Sequence, residues 1–194
     1  MMMKRAIFIL ASLTAVPLFA LTTNPQPGDR IGVLRMSGRF PYAAERTVAG
    51  TIQHDLRREL DLLGFKSFDA QLTYGELLRR GPQDDADYYV EVLSGDAAGR
   101  PVGVAEAGVG GVAVEVGVVV ARVAAEVRVY DARSLNAIDT YDLRRDNMAV
   151  VPTGIGIAGH SIWAAITLPF IQYAQYRSAA HDVARQAALR IAGK

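Results

Sequence analysis

A chain of 194 residues, 51% of them hydrophobic, has the length of one domain and enough apolar side chains for a real core, so disorder is not its default state. Its 21 Lys and Arg stand against 20 Asp and Glu, a balance that gives no electrostatic case for nucleic acid as a partner. Cysteine is absent, which excludes a disulfide framework, a thiolate metal site, a cysteine nucleophile and a lipid-bearing cysteine.

Residues 1–20, MMMKRAIFILASLTAVPLFA, carry a basic start (Lys4, Arg5), an apolar run and a terminal alanine, the pattern of a secretory signal peptide. The apolar run of about fifteen residues is shorter than the ~20 that cross a bilayer. Export removes two cations and no anions, leaving a net charge of −1. The remainder divides into an α/β envelope domain over 21–150 and a glycine hinge with a carboxy-terminal helical arm over 151–194.

After the leader LTTNPQPGD, residues 30–36 (RIGVLRM) predict a short strand. A helix follows, because Val48, Ile52, Leu56, Leu60 and Leu63 recur at spacings of four and three, and Gly64 supplies its stop. Residues 65–68 read as a second strand, parallel to the first through a right-handed crossover. Thr73 and Glu76 form a capping-box pattern ahead of YGELLRR, which ends at Gly81-Pro82. The acidic loop GPQDDAD lacks the ligand spacing of a calcium site and reads as a solvated turn. Residues 87–93 (DYYVEVL) predict a third strand.

From Arg100 to about Val150 the pattern is antiparallel, with Gly108, Gly110 and Gly111 suited to the turn of a valine-rich hairpin. Val112, Val114, Val116, Val118 and Val120 share one parity, while Val123, Val127 and Val129 share the other. Strand alternation does not survive a one-residue slip, so a bulge, a bend or an interruption is predicted near 119–122. The fold class is therefore α+β (mixed α/β): a single mixed sheet with one parallel crossover, an antiparallel valine-rich hairpin, flanking helices and a carboxy-terminal helical arm.

Thirty residues, 147–176, contain no Asp, Glu, Lys or Arg. Their glycines, Pro152, Pro169, His160 and Gln172 keep the hydropathy middling, which favours a soluble or surface-associated arm over a membrane span. HSIWAAITL reads as a short amphipathic helix, and a long helix resumed at Pro169 is predicted to run to Ile191, with Phe170, Tyr173, Ala174, Ala180, Ala184, Ala187, Ala188 and Ile191 on one face of small residues. The candidate contacts with a partner or membrane are Trp163, Ile166, Phe170, Tyr173 and Tyr176.

Two glycine motifs are set aside. Residues 154–159 (GIGIAG) match GxGxxG, but no strand follows to complete a βαβ unit. Residues 108–113 (GVGGVA) precede a period of two, where a phosphate-binding turn needs a helix amino terminus. No cofactor is expected. His54-Asp55 and His181-Asp182 are sequence neighbours on helices, where adjacent side chains diverge by ~100°. His160 with Ser161 is the one suggestive catalytic pair, without a GxSxG elbow, so a periplasmic hydrolase is the weakest reading.

Taken in order, RIGVLRM, TVAGTIQHDLRRELDLLGFKSFD, LLRRG, DADYYVEVL and VAAEVRVYDARSLNAIDTYDL resemble a small α/β domain of bacterial envelope proteins over residues 29–145. That domain is shared by the curli secretion channel, the TolB amino-terminal domain and the penicillin-binding-protein activator lipoproteins. The resemblance implies a non-enzymatic periplasmic module, possible at the outer membrane, that contacts other envelope proteins or itself; it brings no catalytic residues. The alternative is a membrane-embedded subunit of a secretion or pore assembly. Glu106 stands in step with Val102 and Val104, and a charge on a lipid-facing side would be costly.

Overall fold

A computed structural model describes residues 24–37, 43–82, 85–109, 112–156 and 162–194. Among these residues, five strands and three helices follow in the order β1 (Arg30–Val33), α1 (Ala43–Leu62), β2 (Lys66–Asp69), α2 (Tyr74–Arg80), β3 (Tyr88–Val109), β4 (Val112–Asp131), β5 (Ala137–Gly156) and α3 (Ile162–Ile191). They build the expected mixed α+β architecture around one five-stranded sheet of order β2-β1-β3-β4-β5. β1 runs parallel to both β2 and β3, whereas β3, β4 and β5 form an antiparallel meander. A second parallel connection, through α2, thus joins the one expected through α1.

The local signals act where their chemistry predicts. Val48, Ile52, Leu56 and Leu60 form the buried stripe of α1, and the chain leaves that helix through Gly64 at φ +92°, a conformation that costs glycine no Cβ clash. Thr73 caps α2: its Oγ1 accepts from the Glu76 amide, and Glu76 in turn accepts from the Thr73 N–H at 2.9 Å. Gly32 lies under the Tyr89 ring, and a Cβ built there would stand 2.8 Å from Tyr89 Cδ1. Glycine is what lets strand and ring approach.

The two faces of the sheet differ. The near face carries α1 and α3 and buries Ile31, Val33, Val90, Val92, Val123, Val127, Val129 and Leu143. α3 meets this core with Ala179, Ala180, Val183, Ala184, Ala187, Ala188 and Ile191, all fully buried or nearly so. Among the described residues the far face is covered at its lower end, where α2 places Leu77 against Tyr89, Tyr130 and Ala132.

Three expectations change. β3 is one continuous strand over Tyr88–Val109, with Ser94–Arg100 paired to β4 instead of forming a break. β5 continues through residues 151–156, where the sequence suggests the start of a hinge. The short and long helices expected on either side of Pro169 are one, α3, from Ile162 to Ile191; a proline in a long helix removes one backbone bond, which the remaining turns outweigh. Residues 1–20 and 157–161 lie outside the described residues, so the signal peptide and the rest of the glycine hinge do too.

Candidate functional site

The predicted slip near 119–122 takes another form. β4 is unbroken from Val112 to Asp131, and its register with β5 is even from Val116 to Val129. The irregularity opposite this stretch belongs to β3, between Pro101 and Gly103, which face Val119 and Val118. β4 therefore keeps its alternation, and its apolar side changes face. Ala121, Val123, Ala125, Val127 and Val129 are buried under the helices, while Val118 and Val120 stand half-buried on the far face. Met148, opposite Val120, is 69% exposed.

Below those valines the far face is charged. Arg122 donates to both oxygens of Asp146 at 2.9 and 3.2 Å, and Arg144 lies 3.6 Å from the same carboxylate. The Arg122 hydrogen bond holds the Asp146 carboxyl below the usual carboxylate range. Arg128 donates to Glu126 at 2.7 Å and to Thr140 at 3.3 Å. Lower still lies Glu91, 1% exposed, whose carboxylate accepts from Ser37 Oγ at 2.5 Å and from the Tyr130 hydroxyl at 2.9 Å. Burial, then the charge of Glu91, pushes the Tyr130 hydroxyl above its ordinary range. Tyr74 stacks on Tyr130 with ring centroids 4.2 Å apart.

The meander is longer than the core it covers. β1 pairs with β3 only over Tyr88–Val90, so from Ser94 to Val109 β3 has β4 on one side and no strand on the other among the described residues. β5 closes the opposite side of the sheet, with its outer edge unpaired among the described residues. Both edges present backbone donors and acceptors in a row, which is the template for pairing with another strand.

The predicted arm contacts separate. Trp163, Ile166 and Phe170 fall on the first turns of α3, where side chains lie outside the described residues. Tyr173 is 55% exposed and Tyr176 half-buried. They border a cavity of about 70 Å³ between α1 and α3, with Thr47, Val48, Thr51 and Arg177. No helix among the described residues is long and apolar enough to cross a membrane.

The histidines correct the sequence reading. His54 Nδ1 does reach its neighbour, at 3.1 Å from Asp55 Oδ1. His181 turns from Asp182 toward α1, where Nδ1 is 3.3 Å from Asp55 Oδ2 and Nε2 3.9 Å from Glu59. These partners, 126 residues apart for His181 and Asp55, leave no local signal. His160 and Ser161 lie outside the described residues. No group of His, Asp and Glu among the described residues is arranged to hold a metal ion.

No protein-family model matches this chain, and no curated protein matches it. Solved structures do resemble it. A minor lipoprotein from Acinetobacter baumannii is 12% identical with a TM-score of 0.50, the match covering 85% of this chain and 93% of that one. A lipoprotein from Caulobacter crescentus is 17% identical over 84% and 88% of the two chains, with a TM-score of 0.39. Lipoprotein B from Nitrosomonas europaea is 15% identical over 85% of each, also at 0.39. The chain thus shares its fold with the Acinetobacter baumannii lipoprotein, a likeness that does not single out the curli-channel, TolB and activator group.

Proposed function

We propose that the chain is an exported, non-enzymatic envelope protein that acts as a binding or assembly module in the periplasm, taking up other envelope proteins or a second copy. The observation that carries this reading is the long meander, whose two edges are unpaired among the described residues, beyond a core closed by α1 and α3. Strand addition to such an edge draws affinity from backbone hydrogen bonds and needs no pocket. The fold shared with a bacterial lipoprotein supports an envelope setting, as does the signal-like amino terminus. The narrower grouping with curli-channel, TolB and activator domains belongs to the same proposal.

A second reading, a membrane-embedded subunit of a secretion or pore assembly, rests on strand length: β3, β4 and β5 run for 22, 20 and 20 residues, more than the ~10 residues with which a β-strand crosses a bilayer.

Carbonate washing of membranes from cells producing the protein separates the two. An assembly module docked on the envelope is released into the supernatant, whereas a ribbon embedded in lipid stays in the pellet. Recovery in the cytosol with residues 1–20 still attached would overturn both.

A further inference from the structure

The parallel part of the sheet holds a feature that strand pairing does not use. β1 and β2 end side by side at Val33 and Asp69. From β1 the chain passes to α1 on the near face, and from β2 it passes to α2 on the far face. Adjacent strands whose connections leave to opposite faces open a crevice at their carboxyl ends, and open α/β sheets bind their ligands in such crevices. Here the position is occupied by a cavity of about 140 Å³, lined by Val33, Gly50, Gln53, His54, Arg57 and Asp69.

Its chemistry is two-sided. Gln53 and Arg57 are one helical turn apart on α1, with His54 beside them, and bring an amide, a guanidinium and an imidazole to one wall. Asp69, the last residue of β2, brings a carboxylate to the other. Asp69 Oδ1 accepts only the Gln71 amide, at 3.1 Å. Among the described residues neither Arg57 nor Asp69 has an ion-pair partner, although both border one small cavity. Arg35, Arg122, Arg128 and Arg144 each hold a carboxylate within 4.0 Å. Gly50 leaves the cavity wall open, since a Cβ built there would have only Met36 Cε within reach, at 4.0 Å.

Opposite charges that share a cavity without pairing suit a ligand that carries both signs. We propose that this crevice binds a small α-amino acid as its zwitterion, with the carboxylate on Arg57 and the adjacent donors of Gln53 and His54, and the ammonium on Asp69. A volume of about 140 Å³ limits the side chain to the smallest types. Because the walls are open to solvent, the affinity is on the order of millimolar. This site is separate from the open edges of β3 and β5 that carry the assembly reading, so its fate and that of the assembly reading are decided independently.

Titration of the ¹⁵N-labelled full chain with glycine and L-alanine tests it, with acetate and methylammonium as single-charge controls. The expected result is saturable movement of the Gly50, Gln53, His54 and Arg57 amide signals with the amino acids, and a response at least about tenfold weaker with either control. Arg57→Gln and Asp69→Asn should each weaken binding by about tenfold or more, with the circular dichroism spectrum unchanged. Gly50→Ala should weaken it as well while raising Tm, because alanine is the better helix former and its methyl group narrows the cavity. No saturable shift at ligand concentrations on the order of 100 mM would overturn the proposal. So would acetate binding as tightly as alanine, or undiminished binding by Asp69→Asn and Gly50→Ala. Those two variants decide the matter even if Arg57→Gln fails to fold.

Discussion

Glu91 is a carboxylate with almost no access to water, held by two hydroxyl donors, Ser37 and Tyr130. Tyr130→Phe removes one donor and leaves its lone pair stranded, so it should destabilise the protein by about 1–3 kcal/mol in urea unfolding. Adding Glu91→Gln should cost less than the two single changes summed, because residues sharing a hydrogen bond do not act independently. At Glu76 the signal is in the pH dependence. The Thr73 N–H, then the Thr73 hydroxyl and Arg35, lower its carboxyl from 4.5 to about 2. The folded-state value lies below the unfolded one, so this interaction stabilises above 4.5 and is lost as pH falls through about 2. Thermal melts of the parent and Glu76→Gln should differ at neutral pH, and the gap should close across that window. The capping box was legible in the sequence because both partners lie within four residues. The Glu91 pair was not, because Tyr130 arrives 39 positions later through β-pairing.

Helix signals read well at the scale of elements, and strand extents did not. The buried face of α3 follows from its alanine spacing: Ala180, Ala184, Ala187, Ala188 and Ile191 are in the core as predicted, though Tyr173 and Ala174 at the other end of the helix are exposed. Alanines on this face let α3 approach the sheet and α1 closely, so Ala184→Leu should cost about 1–3 kcal/mol or more by overpacking, and a lowered denaturation midpoint with unchanged m-value would report it. The sequence predicts a strand over 87–93 and an antiparallel pattern only from Arg100, and the glycine and small residues between them are poor strand formers in isolation. The pairing of Ser94–Arg100 with Val120–Glu126 of β4 overrides that preference. The valine slip shows the same limit. A parity change can mean a bulge or a change of the apolar side, and only the register, with its irregularity in β3 across from Val118 and Val119, distinguishes them.

At the scale of the whole molecule, one sheet serves two different structures. Its lower half is a closed domain, with helices on the near face and α2 on part of the far face. Its upper half is a three-stranded ribbon with two edges unpaired among the described residues and an apolar row beginning at Val118, Val120 and Met148, above a belt of charge at Arg122, Arg144 and Asp146. If the ribbon works through its outer edge, blocking that edge should abolish association and spare the fold. In an antiparallel edge strand successive amides point alternately toward the neighbour and away. Of Arg144→Pro and Arg145→Pro in β5, one therefore removes a ladder hydrogen bond and destabilises the sheet, while the other removes only an outward donor and introduces a ring that strand addition does not tolerate. The pair controls for itself. Light scattering of the purified protein and crosslinking in cells should show the better folded of the two variants losing its assembled species, with Tm close to that of the parent. Retention of the assembled species by that variant would move the contact away from the β5 edge. Met148→Lys discriminates further, because a charge on the apolar row should weaken lipid insertion and leave a purely edge-paired assembly intact.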